Sequence, residues 1–169
     1  KGRKHVKGDE YKESKPHLNA AERKTLADFD NAVLYNDSVL NEIVKLFDDK
    51  DAVVIHVPDH GEECYEGDLH FYCRMHSTAI TSRLAHAEFD IPFWIYCTQP
   101  FVEQHPELYQ AIVGAKDKRY MTDALPHMLM SLAGIHSKDY KAKYDLLSPQ
   151  YDEHRPRILK NTTDYDKLK

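Results

Sequence analysis

The sequence predicts an α/β protein. Three observations carry this: a long helical period of apolar residues over 20–48, and two short, nearly continuous apolar runs at 52–57 and 91–97. A helix followed directly by a strand that is apolar on both faces is the succession found where helices cover a sheet.

The first 20 residues are polar and basic, and Gly2, Gly8 and Pro16 interrupt any period, so an extended or loop segment is expected there. We expect the folded body to run from 21 to 169. Asn19 is placed to cap the long helix, with Glu22 three residues on completing a capping box. Leu26, Phe29, Val33, Leu40, Val44 and Phe47 then recur at spacings of three, four and seven, which puts them on one helix face. The polar turn 48–51 leads into the first apolar run, and Pro58-Asp59-His60-Gly61 ends it. Residues 61–90 are irregular, with a short helix expected over 77–87. The second run carries its Pro near the start, where a missing N–H is tolerated. A helix is expected over 100–113. A second is expected over 123–133, with Thr122 as its cap and Gly134 as its stop. The Tyr-rich remainder holds one edge-strand candidate at 157–160.

Composition narrows the function classes. The chain has 169 residues, 41% apolar and 30% charged, with a mean hydropathy of −0.67. No run approaches the ~18 apolar residues that a spanning helix needs. Eleven Tyr, six Phe and one Trp are enough to help build a core. A net charge of −5 lacks the basic surplus of a nucleic-acid binder, so no nucleic-acid partner is expected. Three cysteines (Cys64, Cys73, Cys97) fit neither a zinc knuckle nor a redox pair, and read as small apolar residues or one incidental disulfide. Eleven histidines point towards metal or proton chemistry.

The chemistry concentrates at VVIHVPDHGEE, 53–63. In an α/β sheet, side chains at the C-terminal end of a strand face the crevice where ligands bind. Asp59 and His60 offer a hard oxygen and an imidazole nitrogen, a pair suited to zinc. Consecutive residues on an extended strand face opposite ways. They converge only if the strand ends there, and Pro58 and Gly61 supply that break. The alternative is that both are turn residues with a capping role. A third ligand must come from another segment; His70 and His76 lie one loop away, and spacing alone does not choose between them. His56, inside the strand, reads as a packed histidine, and His86, His105, His136 and His154 as surface groups.

The segments DFDNAVLYNDSVLNEIV (28–44), VVIHVPDHGEE (53–63), RMH (74–76) and IPFWIYC (91–97) resemble the catalytic domain of the phosphoethanolamine transferases. These are sulfatase-like members of the alkaline-phosphatase superfamily. That family shows a helix like YDNxVLYxD, a strand ending in SDHGE, a loop with a histidine, and a strand like VPFxIW. The later TDALPHMLMSLAGI (122–135) is similar to the family's TDxxxHTLLxLxGI helix. The resemblance covers about 110 residues well and the tail loosely. Two departures stand out: Pro58 replaces the family's Ser, and the loop from His60 to His76 is longer.

The resemblance implies a three-layer α/β sandwich. It implies that Asp59 and His60 are zinc ligands and that His76, preferred to His70, contacts the transferred phosphoryl group or a second metal ion. Arg74 and Glu62 flank these positions as weaker candidates, and His127 matches the histidine of the family's C-terminal helix, where a structural rather than a catalytic role is expected. The implied reaction transfers phosphoethanolamine from phosphatidylethanolamine to lipid A or another envelope glycan through a phospho-threonine enzyme, with Zn2+ as cofactor. It also implies an inner-membrane enzyme with a periplasmic catalytic domain. No strand with a nucleophilic Thr or Ser precedes residue 20, and Thr25 falls in the helix. The chain is therefore expected to be the C-terminal part of that domain, inactive alone, with a membrane anchor upstream. Its raw sheet edge is one that a homodimer would cover. The alternatives are a sulfatase or phosphatase of the same superfamily, and a non-catalytic α/β interaction module.

Overall fold

The first helix begins where its capping box places it. In the computed structural model, which describes residues 5–74 and 79–168, the Asn19 side chain accepts from the backbone N–H groups of Ala21 and Glu22 at 2.9 and 3.0 Å. Glu22 Oε2 in turn accepts from Asn19 N–H at 2.7 Å. Three of the donors that a helix start leaves unpaired are thereby satisfied. Helix α1 runs Ala20–Lys45, and a turn replaces its expected last residues. It is followed by strands β1 (Val53–His56), β2 (Glu63–Cys64) and β3 (Tyr72–Cys73), helix α2 (Ser82–Glu88), and strand β4 (Trp94–Cys97). Helices α3 (Gln99–Gln104), α4 (Pro106–Gly114) and α5 (Leu125–Leu132) come next, then strands β5 (Ile158–Leu159) and β6 (Thr163–Asp164). The class is α/β, as predicted.

The chain divides into two compact units, Lys1–Asp48 with Ile55–Trp94, and Asp49–Val54 with Ile95–Lys169. In the first, Leu18, Leu26, Cys64 and Tyr65 form a buried cluster against which Tyr11 and Phe29 pack. Val6 is docked on α1: it exchanges two hydrogen bonds with the Asn31 side chain, at 2.8 and 2.9 Å. β2 and β3 pair antiparallel, Glu63 opposite Cys73 and Cys64 opposite Tyr72. The sequence bears no sign of this pair, because two-residue strands carry no legible period. The apolar stripe of α1 is buried only in its first part. Val33, Val39, Ile43 and Phe47 remain 38–52% exposed.

In the second unit, Thr98 organises the end of β4. Its hydroxyl donates to Lys50 O at 2.6 Å and accepts from Phe101 N–H at 3.3 Å, capping α3. The helix expected over 100–113 is two helices. Pro106 has no N–H to continue α3, and its ring drives His105 to φ −127°, ψ 55°, outside the helical region. Pro106 instead opens α4, where its missing donor costs nothing. A similar shift moves the start of α5. A helix capped by Thr122 would need an N–H at Pro126, so Thr122–Ala124 forms a 3-10 turn and α5 begins at Leu125. Gly134 ends it at φ 63°, as expected. Asp145, fully buried, accepts from Tyr140 OH at 2.8 Å and Leu147 N–H at 3.0 Å. The edge-strand candidate is β5, paired antiparallel with β6.

β1 and β4 form a two-stranded sheet. Their apolar runs predict burial on both faces, but the residues of β1 are all half-buried and Tyr96 of β4 is exposed. Two strands cannot sandwich one another: burial on both faces requires further layers, which these segments do not supply among the described residues.

All three cysteines are free: Cys64 is buried, Cys73 exposed and Cys97 half-buried. Burial pushes the Cys64 thiol up to about 11. Only the thiolate reacts with alkylating reagents. At pH 8, iodoacetamide is therefore expected to label Cys73 first, and Cys64 only after unfolding, as read by peptide mass spectrometry. Rapid labelling of Cys64 in the native protein contradicts its burial.

Candidate metal centre

β1 ends at His56, whose ring stacks on Trp94 at 5.1 Å and 25°, the packed role expected of it. Val57 and Pro58 carry the chain out of the strand, and the next two residues turn towards each other. His60 Nδ1 lies 2.8 Å from Gly61 O. A carbonyl only accepts, so Nδ1 is the donor here, and in the neutral ring Nε2 is the nitrogen with the lone pair. That Nε2 is 3.5 Å from Asp59 Oδ2. With Zn–N and Zn–O bonds of about 2.0–2.2 Å, two neighbouring ligands on a tetrahedral zinc stand about 3.4 Å apart. The donor set and its spacing thus fit a zinc ion, with the histidine tautomer already set by a backbone partner, as metal-bound histidines require. The Asp59 side chain is 90% exposed and that of His60 30%, so an ion has access.

Gly61 holds the turn down. Its N–H donates to Glu88 O at 2.9 Å, and a Cβ there would stand 2.3 Å from Ala87 O. Only glycine permits this approach to the end of α2. The sequence marks Gly61 as a breaker of the strand; the close contact is not legible in it.

The structure brings Asp59 and His60 together. His76 lies outside the described residues. His70 is engaged elsewhere: its Nδ1 is 2.8 Å from Glu22 Oε1, and its ring meets His17 edge-on at 5.6 Å. Among the described residues, no three His, Cys, Asp or Glu side chains are grouped to hold a metal ion. Closure of a coordination shell would therefore draw on residues beyond these. His86 and His105 pair with Asp90 and Asp51 at 2.7 and 2.9 Å, satisfied at the surface as expected. His127 Nδ1 accepts from Lys141 N–H at 3.2 Å, and its ring packs against Tyr140 and Tyr144.

The chain belongs to the sulfatase family, whose family model matches residues 7–135. It is 30% identical over 140 residues to phosphoethanolamine transferase EptC of Escherichia coli O18:K1:H7 (strain RS218 / NMEC), across 82% of this chain and 23% of that protein. Over 95 residues it is 30% identical to phosphoethanolamine transferase EptA of Helicobacter pylori (strain ATCC 700392 / 26695), covering 54% of this chain and 17% of that protein. The crystal structure of the C-terminal periplasmic domain of EcEptC from Escherichia coli matches with a TM-score of 0.74 and 28% identity, over 99% of this chain and 45% of that one. The same domain in complex with Zn matches with a TM-score of 0.74 and 30% identity, over 91% and 43%. The chain thus spans about a quarter of the length of the curated EptC relative. Among the described residues no helix is long and apolar enough to cross a membrane.

Proposed function

We infer that this chain carries zinc ligands of a phosphoethanolamine transferase, which moves phosphoethanolamine from phosphatidylethanolamine to lipid A or another envelope glycan on the periplasmic side of the inner membrane. The observation that carries this is the Asp59–His60 turn, with Nδ1 against the Gly61 carbonyl and Nε2 3.5 Å from Oδ2 beyond the end of a strand. Support comes from the EptC and EptA relatives, both phosphoethanolamine transferases, and from the Zn complex of the EptC domain. In this reading Asp59 and His60 hold the ion and His76 meets the phosphoryl group being transferred. Zinc, when bound, lowers the pKa of a nucleophilic hydroxyl and offsets charge on the phosphoryl oxygens. Gly61 O holds Nδ1 as a donor, which leaves Nε2 as the nitrogen to face an ion.

The EptC and EptA relatives are longer, so the test uses the longest form of the protein that its gene encodes. Purified with zinc and offered vesicles of phosphatidylethanolamine and lipid A, it is expected to yield lipid A heavier by one phosphoethanolamine group, and diacylglycerol. With 4-nitrophenyl sulfate it is expected to be inactive. Sulfate release without transfer overturns the transferase reading in favour of a sulfatase.

A further inference from the structure

Three carboxylates crowd the five residues 59–63, and one of them faces inward. Glu63 is fully buried, and apart from Arg83 no described group donates a hydrogen bond to either of its carboxylate oxygens. A buried carboxylate in that state needs a cation to remain charged. Arg83, in the first turn of α2, supplies it: its guanidinium forms an ion pair with Glu63 Oε1 while its own side chain stays 42% exposed. At the other end of the same helix, Glu88 O takes the Gly61 N–H and Ala87 O lies against the Gly61 Cα.

The helix therefore grips the segment after the Asp-His pair at two points. Gly61 and Glu63 are about 7 Å apart along an extended chain. Arg83 and Ala87 are about 6 Å apart along a helix. The match means that α2 lies alongside 61–63 and holds both ends of it. Leu84 and Ala85, both buried, seat the helix between the two grips.

We propose that Arg83 is a positioning residue for the metal turn. By neutralising Glu63 it locks α2 against 61–63, and so keeps Gly61 O where it sets the His60 tautomer and Nε2 beside Asp59. The proposal rests on the zinc reading of that turn. Arg83 touches neither Asp59 nor His60 and acts only through the helix. Loss of its charge leaves Glu63 buried without a cation. An unpaired buried carboxylate is costly, and its relief loosens β2 and the turn before it.

The test compares Arg83→Met, Arg83→Lys, Asp59→Asn and the double variant Arg83→Met/Glu63→Gln, each as the full chain. Two quantities are read: zinc affinity by competition with a chromophoric chelator, and amide hydrogen exchange at Gly61. Arg83→Met is expected to weaken zinc binding about 10- to 100-fold, as supporting residues around a metal do. It is also expected to speed Gly61 exchange at least about tenfold relative to amides in α5. Arg83→Lys restores part of both losses by retaining the charge. The double variant restores Gly61 protection, because a neutral pair leaves no unbalanced charge. Unchanged Gly61 exchange in a folded Arg83→Met overturns the brace, whatever zinc does. Unchanged zinc affinity in Arg83→Met, with Asp59→Asn weakened, also overturns Arg83 as a positioning residue while leaving the zinc reading intact. Unchanged zinc affinity in Asp59→Asn overturns the zinc reading itself, a failure distinct from the first. Should Arg83→Met fail to fold, Arg83→Lys decides alone: wild-type zinc affinity together with accelerated Gly61 exchange counts against the coupling.

Discussion

Asp59→Asn and His60→Ala are each expected to lower zinc affinity by on the order of 100-fold or more, while the melting temperature of the metal-free protein hardly moves for Asp59→Asn and falls by about 2–4 °C for His60→Ala. The first half follows from coordination chemistry. Removing one of a few ligands costs more than removing a supporting residue, and the latter alone is worth about 10- to 100-fold. The second half follows from what these side chains touch. Asp59 is 90% exposed, and the His60 Nε2 at 3.5 Å lies at the limit of a hydrogen bond. A surface substitution of that kind changes stability by about 0.5 kcal/mol or less. His60→Ala also loses the bond from Nδ1–H to Gly61 O, about 1 kcal/mol. Chelator competition and thermal melting of the metal-free form check the two halves separately. Wild-type zinc affinity in either variant removes that residue from the metal site.

Gly61→Ala is expected to destabilise the protein by about 1–3 kcal/mol, the usual cost of forcing atoms into filled space. The reason is position: the new Cβ would stand 2.3 Å from Ala87 O, a backbone atom that cannot rotate away. Either α2 or the Asp-His turn must move, so zinc affinity falls with stability. For a chain of this size each kcal/mol is worth about 2–4 °C in melting temperature. Gly114→Ala is the matched control. It sits at the end of α4, where an added Cβ would meet nothing within 4 Å, so the same methyl is neutral or raises stability by up to about 1 kcal/mol. Equal effects at both glycines in thermal melts overturn the steric argument.

Much of the local structure is legible in the sequence because it depends on neighbours along the chain. Asn19 and Glu22 form their capping box, Gly134 ends α5, and the two apolar runs are strands. The departures share a cause. Pro106 and Pro126 each forbid one helical hydrogen bond, and the apolar period runs on through both as though nothing were missing. The pairing of β2 with β3 joins residues whose partners lie ten positions apart or nearer, across an irregular loop that carries no period.

At the Asp-His turn the division is sharper. The sequence by itself determined the candidate donors: an aspartate and a histidine adjacent beyond the end of a strand, with Pro58 and Gly61 to break it. Residue type and local chain direction suffice for that. Only the tertiary structure decided that His60 Nδ1 faces the Gly61 carbonyl, that His70 is engaged by Glu22, and that α2 grips Gly61 and Glu63. The reason is physical. Tautomer, burial and ion pairing depend on which atoms meet across space, and a linear pattern holds no record of the partner's distance.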